Sequence, residues 1–199
     1  SYTYRDLVEA SNNIAYALLG TKSDLKEERI GFLIPPGFNY LAVLWGIWKA
    51  GGISVPLSLS ATQSELTHYL TDTKINLLIS DTRGVKTLKK LADNLNILIM
   101  NEKNLKDVSF KSLPKVTLDR RAMILFTSGT TSKPKGVVST HFNVESQISS
   151  LIKAWGWNKK DFIPLILPLH HIHGIINSLC CPLWVGAKVD ILGSFNAEK

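Results

Sequence analysis

The residues of this 199-residue chain best equipped for chemistry lie between Thr127 and Gly136, in the order Thr-Ser-Gly-Thr-Thr-Ser-Lys-Pro-Lys-Gly. Thr127, Ser128, Thr130, Thr131 and Ser132 place hydroxyls around Gly129, and Lys133 and Lys135 flank Pro134. Small hydroxyl residues leave backbone N–H groups open and add O–H donors of their own. Gly129 lets the backbone approach a ligand closely, and Lys135 adds a flexible point charge. Donors and cations gathered in one bend are the parts of a polyphosphate cradle. The spacing is not that of the common nucleotide loop, G-x-x-x-x-G-K-[ST]. Pro134 stands where its second Gly belongs, and Gly136 where Ser or Thr would follow the lysine. The plain alternative is a surface turn, which needs neither the two lysines nor the proline.

A second constellation is Leu167-Pro168-Leu169-His170-His171-Ile172-His173-Gly174. Three histidines in four residues invite a metal reading. Zinc sites on helices use i, i+4 spacing and closed sites use four ligands. His170, His171 and His173 do not give that spacing, although Cys180 or Cys181 could complete a site. A purely structural set of histidines is the third reading. No metal ligand is assigned here.

The run T-S-G-T-T-S-K-P-K-G resembles the phosphate-binding signature of the adenylate-forming (AMP-binding) enzymes: acyl-CoA synthetases, luciferases and peptide-synthetase adenylation domains. Ser132 stands where that family usually has Gly, which removes a flexible backbone position. Trp48-Lys49-Ala50-Gly51-Gly52-Ile53-Ser54-Val55-Pro56-Leu57 is similar to the family's earlier helix-to-strand join. The histidine stretch is similar to the family's P-[LM]-x-H-x-x-G, which lines the acyl pocket. Its continuation through Cys180-Cys181-Pro182-Leu183-Trp184, with Thr140-His141 and Trp155-Gly156-Trp157, resembles the malonyl-CoA synthetase-type branch.

That resemblance implies an ATP-dependent acid–CoA ligase that forms an acyl-adenylate and then an acyl-CoA thioester, with ATP, Mg²⁺ and CoA taking part. Residues 127–136 would bind the phosphates, with catalytic roles for Lys135 and Thr127 and binding roles for Ser128, Gly129, Thr130, Thr131, Ser132, Lys133 and Gly136. His170, His171, His173 and Gly174 would bind the acid, which the branch makes malonate or a similar short dicarboxylate. A buried second carboxylate needs donors or positive groups, and histidines supply them. The alternatives are a fatty or aryl acid–CoA ligase and a non-catalytic nucleotide-binding module. The resemblance covers nearly all of residues 1–199 as a partial N-terminal domain. The family's magnesium-binding Glu, its hinge and its C-terminal domain would lie beyond Lys199, so this segment alone is expected to be inactive.

The bulk properties agree with a globular enzyme part. The chain is 45% hydrophobic and 20% charged, with a net charge of +7, the balance of a folded domain. The lysines are scattered, without a block of like charge or a nucleic-acid motif, so nucleic acid is not an expected partner. The two adjacent cysteines cannot form an ordinary bridge and read as free thiols in a reducing compartment. No apolar stretch reaches the roughly 18–20 residues that cross a bilayer. The free thiols make the reading intracellular, in mitochondrion or cytoplasm, and the absence of a visible signal segment says little. Ser1 in place of Met reads as a start inside a longer protein.

The elements that must position these residues alternate between strand and helix. Apolar periodicity predicts helices over 4–19, 38–50, 63–70, 84–92, 141–155 and 174–185. Strands are predicted over 29–35, 53–57, 76–80, 96–100, 122–127, 136–140, 162–167 and 188–192. Residues 101–114 read as a polar loop. The fold class is therefore α/β, with parallel or mixed sheets flanked by helices.

Overall fold

The computed structural model describes residues 1–105, 112–127 and 133–192. Six strands form one sheet: β1 (Arg29–Leu33), β2 (Ile53–Pro56), β3 (Leu77–Ser80), β4 (Leu98–Asn101), β5 (Arg121–Thr127) and β6 (Lys135–Thr140). Their order is β4-β3-β1-β2-β5-β6. All neighbours are parallel except β5 and β6, which pair antiparallel. Short apolar strands fit the interior of such a sheet because helices cover both faces.

The helices are α1 (Tyr4–Leu19), α2 (Phe38–Lys49), α3 (Gln63–Thr73), α4 (Thr82–Asn94) and α5 (His141–Trp155). Along β5, Met123 and Leu125 join the core beneath α1, α2 and α5. Ile124 turns the other way, into the core beneath α3 and α4, and Phe126 packs against it. This alternation is the two-residue period of a strand covered on both sides. Capping boxes start the two helices that flank the hairpin. Thr62 and Glu65 close the first turn of α3, and Thr140 and Asn143 close that of α5. Each satisfies backbone donors that the helix cannot.

The earlier join does structural work. Trp48 Nε1 donates to the Ala122 carbonyl at 2.7 Å, and Ser54 Oγ donates to the same oxygen at 3.0 Å. Just before β5, Arg120 pairs with Asp24 through two nitrogens and also donates to the Gly51 carbonyl. The strand that leads to residues 127–136 is thus fixed at its base by α2, β2 and the loop before β1.

Beyond α5, β7 (Phe162–Leu165) and β8 (Lys188–Ile191) pair in parallel as a two-stranded sheet. A π-helical segment (His173–Cys180) runs into α6 (Cys181–Trp184) between them. Several expectations are corrected here. The helix expected at 84–92 begins at Thr82, because Asp81 caps it through Gly84 N at 2.6 Å. The expected polar loop after residue 101 holds a 3₁₀ turn (Glu102–Asn104) and a core residue, Leu105, at 2% exposure; residues 106–111 lie outside the described residues. The strand expected to be buried through residue 167 ends at Leu165, and Phe162 is 54% exposed, since it has only β8 beside it. The helix expected at 174–185 is π-helical for most of its length. Apolar spacing reports which face is buried and not which carbonyl each N–H reaches.

Candidate active site

Thr127 ends β5, and Lys135 and Gly136 begin its antiparallel partner β6. Thr127 pairs with Lys135, and Phe126 with Gly136. The ends of the expected cradle therefore belong to the ladder, because the antiparallel register runs to the base of the loop. Ser128, Gly129, Thr130, Thr131 and Ser132 lie outside the described residues. Directly opposed residues of an antiparallel pair leave the sheet on the same face, so Thr127 and Lys135 stand side by side, both exposed. Lys133 is exposed and Pro134 is half-buried. The hairpin thus presents a hydroxyl and an ammonium at the mouth of the loop.

The histidine segment is held differently. Tyr40 Oη, fully buried on α2, donates to the Leu169 carbonyl at 2.6 Å. Burial pushes the Tyr40 phenol well above its usual range, so it stays a donor. Gly174 is buried, and a Cβ there would collide with the Pro168 carbonyl oxygen. The motif glycine is thus set by a close backbone approach. His170 and His171 lie with ring centroids 4.1 Å apart. Burial, and then the neighbouring His171, push His170 below the ordinary imidazole range. Its neutral form is favoured until an anion arrives to offset that cost.

Among the described residues the two constellations meet through Pro134; Thr127 and Lys135 do not line the shared cavity. A cavity of about 250 Å³ is lined by Phe126 and Pro134 from the hairpin legs, by His170 and His171, and by Glu65 and Tyr69 of α3. Hydrogen bonds from Thr62 hold the Glu65 carboxyl below its usual range. His173 and Gly174 do not line this cavity. The exposed His173 ring lies 3.4 Å from Asn177 Nδ2 through its Nδ1, and Gly174 sits behind the segment.

Sequence patterning missed the contribution of α3. Tyr69 stacks on Phe126 with centroids 4.1 Å apart, and His68 Nε2 lies 2.8 Å from the Pro134 carbonyl oxygen. Both polar-edged aromatics sit next to the apolar positions Leu66 and Leu70, so a helix-face reading absorbs them as packing. The thiols of Cys180 and Cys181 are free and buried. Burial raises them to about 12 and about 11, which keeps them protonated and unreactive. Among the described residues, no three His, Cys, Asp or Glu are grouped to hold a metal ion.

The pattern of the AMP-binding enzymes matches residues 1–199. The chain belongs to that family. Within it, the chain is 39% identical over 207 residues to the mitochondrial malonate–CoA ligase ACSF3 of Xenopus laevis, an alignment covering 98% of this chain and 36% of the relative. It is 38% identical to the malonate–CoA ligase of Arabidopsis thaliana, over 87% of this chain and 31% of that one. The fold superposes on ATP-bound MatB from Rhodopseudomonas palustris with a TM-score of 0.87 at 22% identity, over 98% of this chain and 41% of MatB. This AMP-binding family member therefore spans about a third of the length of such relatives. Its α/β architecture is that of the N-terminal part of the MatB fold. No helix among the described residues is long and apolar enough to cross a membrane.

Proposed function

We propose that these residues are the N-terminal part of an ATP-dependent acid–CoA ligase acting on malonate or a similar short dicarboxylate. The observation that carries this reading is the shared cavity, in which the legs of the hydroxyl-rich hairpin stand beside His170 and His171. Its volume of about 250 Å³ lies below the roughly 300–1,000 Å³ of drug-sized clefts, which favours a short acid over a long acyl chain. The malonate–CoA ligases among the relatives support the same choice.

In this reading the hairpin loop holds the triphosphate. Thr127 and Lys135 act in catalysis from the loop mouth. Ser128, Gly129, Thr130, Thr131 and Ser132 supply backbone and hydroxyl donors, and Lys133 and Gly136 complete the cradle. Lys135 stabilises the charge that builds on departing pyrophosphate, a term that weighs heavily when it is preorganised. His170 and His171 orient the acid for attack on the α-phosphorus, and His173, outside the cavity, helps orient the segment that carries them. Holding the acid in the cavity beside a nucleotide bound at the hairpin mouth lowers the entropic cost of their encounter.

Mg²⁺ belongs to this chemistry, but the described residues build no ligand cluster for it, and no step is assigned through it. CoA accepts the acyl group in the second half-reaction. Residues 1–199 are then a partial N-terminal domain completed by a C-terminal domain, in a mitochondrial compartment like that of the Xenopus relative.

The test is ATP–pyrophosphate exchange by the full-length protein across a panel of acids. Malonate-dependent exchange is expected, with Lys135→Ala lowering it about 100-fold. A preference for a long-chain acid would move the assignment to a fatty acid ligase. Absence of exchange with every acid would leave a nucleotide-binding module, the reading that Ser132 favours. The isolated 199 residues are expected to form no thioester.

A further inference from the structure

We propose that His68 is a positioning residue that latches the exit leg of the hydroxyl-rich loop through the Pro134 carbonyl. Its Nε2 lies 2.8 Å from that oxygen, across 66 residues of sequence. A carbonyl only accepts, so Nε2 carries a proton and donates it. Pro134 lies just outside β6 and has no N–H, which leaves its carbonyl as its one backbone handle. The latch therefore grips the loop where the ladder has stopped.

The same helix grips the entry leg one residue away. Tyr69 stacks on Phe126 at 4.1 Å, and the His68 ring meets Phe126 edge-on at 5.9 Å. Phe126 immediately precedes Thr127, and Pro134 immediately precedes Lys135. Consecutive side chains of α3 thus hold the residues that immediately precede the two proposed catalytic groups, Phe126 on the strand side of Thr127 and Pro134 on the loop side of Lys135. The helix is a firm base for this, since its first turn is boxed by Thr62 and Glu65 and its Leu66 and Leu70 are in the core. Holding both legs fixes the span of the loop mouth. The separation of Thr127 from Lys135 then does not depend on the ladder pair alone.

A histidine that merely fills space would be replaceable by another aromatic ring. The latch needs a donor at the Nε2 position. Its consequence for nucleotide binding rests on the ligase reading above, but its geometry does not. The test uses the full-length protein with His68→Phe, which keeps a ring and removes the donor, and His68→Gln, whose amide nitrogen reaches a similar position. Two readouts are taken: backbone hydrogen exchange across residues 133–138, and KM for ATP beside KM for the acid.

The His68→Phe variant is expected to exchange about five-fold faster in that segment. Its KM for ATP should rise by a similar factor while KM for the acid stays within about two-fold. His68→Gln should recover most of both. If His68→Phe matches the parent in segment exchange, or if Gln recovers nothing that Phe loses, the latch is wrong. If the parent shows no acid-dependent turnover of ATP while His68→Phe still loosens the segment, the latch stands and the ligase reading falls.

Discussion

The hairpin at residues 127–136 and the histidine segment at 168–174 converge on one cavity but are held by opposite means. The hairpin legs are held by backbone. Six cross-strand pairs from Arg121↔Thr140 to Thr127↔Lys135 fix its register, and the anchors at Arg120 and Ala122 set its base. The histidine segment has no ladder partner. Among its holds are a buried phenol and a close backbone contact, Tyr40 on Leu169 and Gly174 under Pro168, beside the core packing of Leu169. A ladder spreads its hold over many bonds, so single side chains matter less along it than at its base and at the loop mouth, where it stops. A segment held by a few separate contacts concentrates its hold, so each contact matters more.

The largest effect is expected where that concentration is greatest. Gly174→Ala puts a Cβ into the Pro168 carbonyl oxygen, and backbone cannot yield as a side-chain tip can. A cost of about 3 kcal/mol in thermal or denaturant unfolding is expected, with KM for the acid raised more than KM for ATP. An unchanged midpoint would mean the segment is held elsewhere.

Next comes the base of the hairpin. The Arg120 and Asp24 side chains are 15% and 23% exposed, and Arg120→Ala leaves Asp24 partly buried without its partner. About 2–3 kcal/mol is expected, below the loss for a fully buried pair. The Arg120 guanidinium is the main cause of an Asp24 carboxyl held below its ordinary range. The folded pKa is depressed, so this contribution is complete above about pH 4 and is lost as pH falls through the folded value. Arg120→Ala should therefore flatten the acid limb of the stability profile below about pH 4. A parallel displacement of the whole profile would show that the pair is not its source.

The same contrast explains what could be read from sequence. The hairpin was legible because its chemistry is contiguous: strand, hydroxyl-rich turn and strand follow one another between Ala122 and Thr140. The cap residues Thr3 and Thr140 and the stops at Gly20 and Gly51 mark several helix boundaries, while the cap at Thr62 emerged only from the structure. The shared cavity was not legible, because its walls come from α3, the hairpin and the segment after β7, which are far apart in sequence. The His68 latch spans 66 residues, and nothing in the local pattern of α3 sets a latch apart from a packed aromatic. The π-helical turns after Ile172 escaped because alternative hydrogen-bond registers leave the same apolar stripe.

A third prediction separates the hold on the two regions directly. Tyr40→Phe removes the donor to Leu169 and leaves a buried carbonyl without that partner. About 1–2 kcal/mol is expected, with faster hydrogen exchange in residues 168–174 and none in 121–127. Equal loosening of both segments would mean that they open as one unit.

The smallest effect is expected at the hairpin's own motif glycine. A Cβ on Gly136 would lie 3.0 Å from Ile124 Cγ2 and 3.6 Å from the Phe126 ring. The nearer atom is a side-chain tip that a slight rotation can move. Glycine inside a strand carries an entropic cost that alanine removes, and this offsets part of the crowding. Gly136→Ala should therefore change stability by less than about 1 kcal/mol, against about 3 for the same substitution at Gly174. Measured side by side in the full-length protein, the pair tests the contrast itself. If Gly136→Ala costs as much as Gly174→Ala, the ladder does not spread its load, and the loop mouth is as finely balanced as the histidine segment.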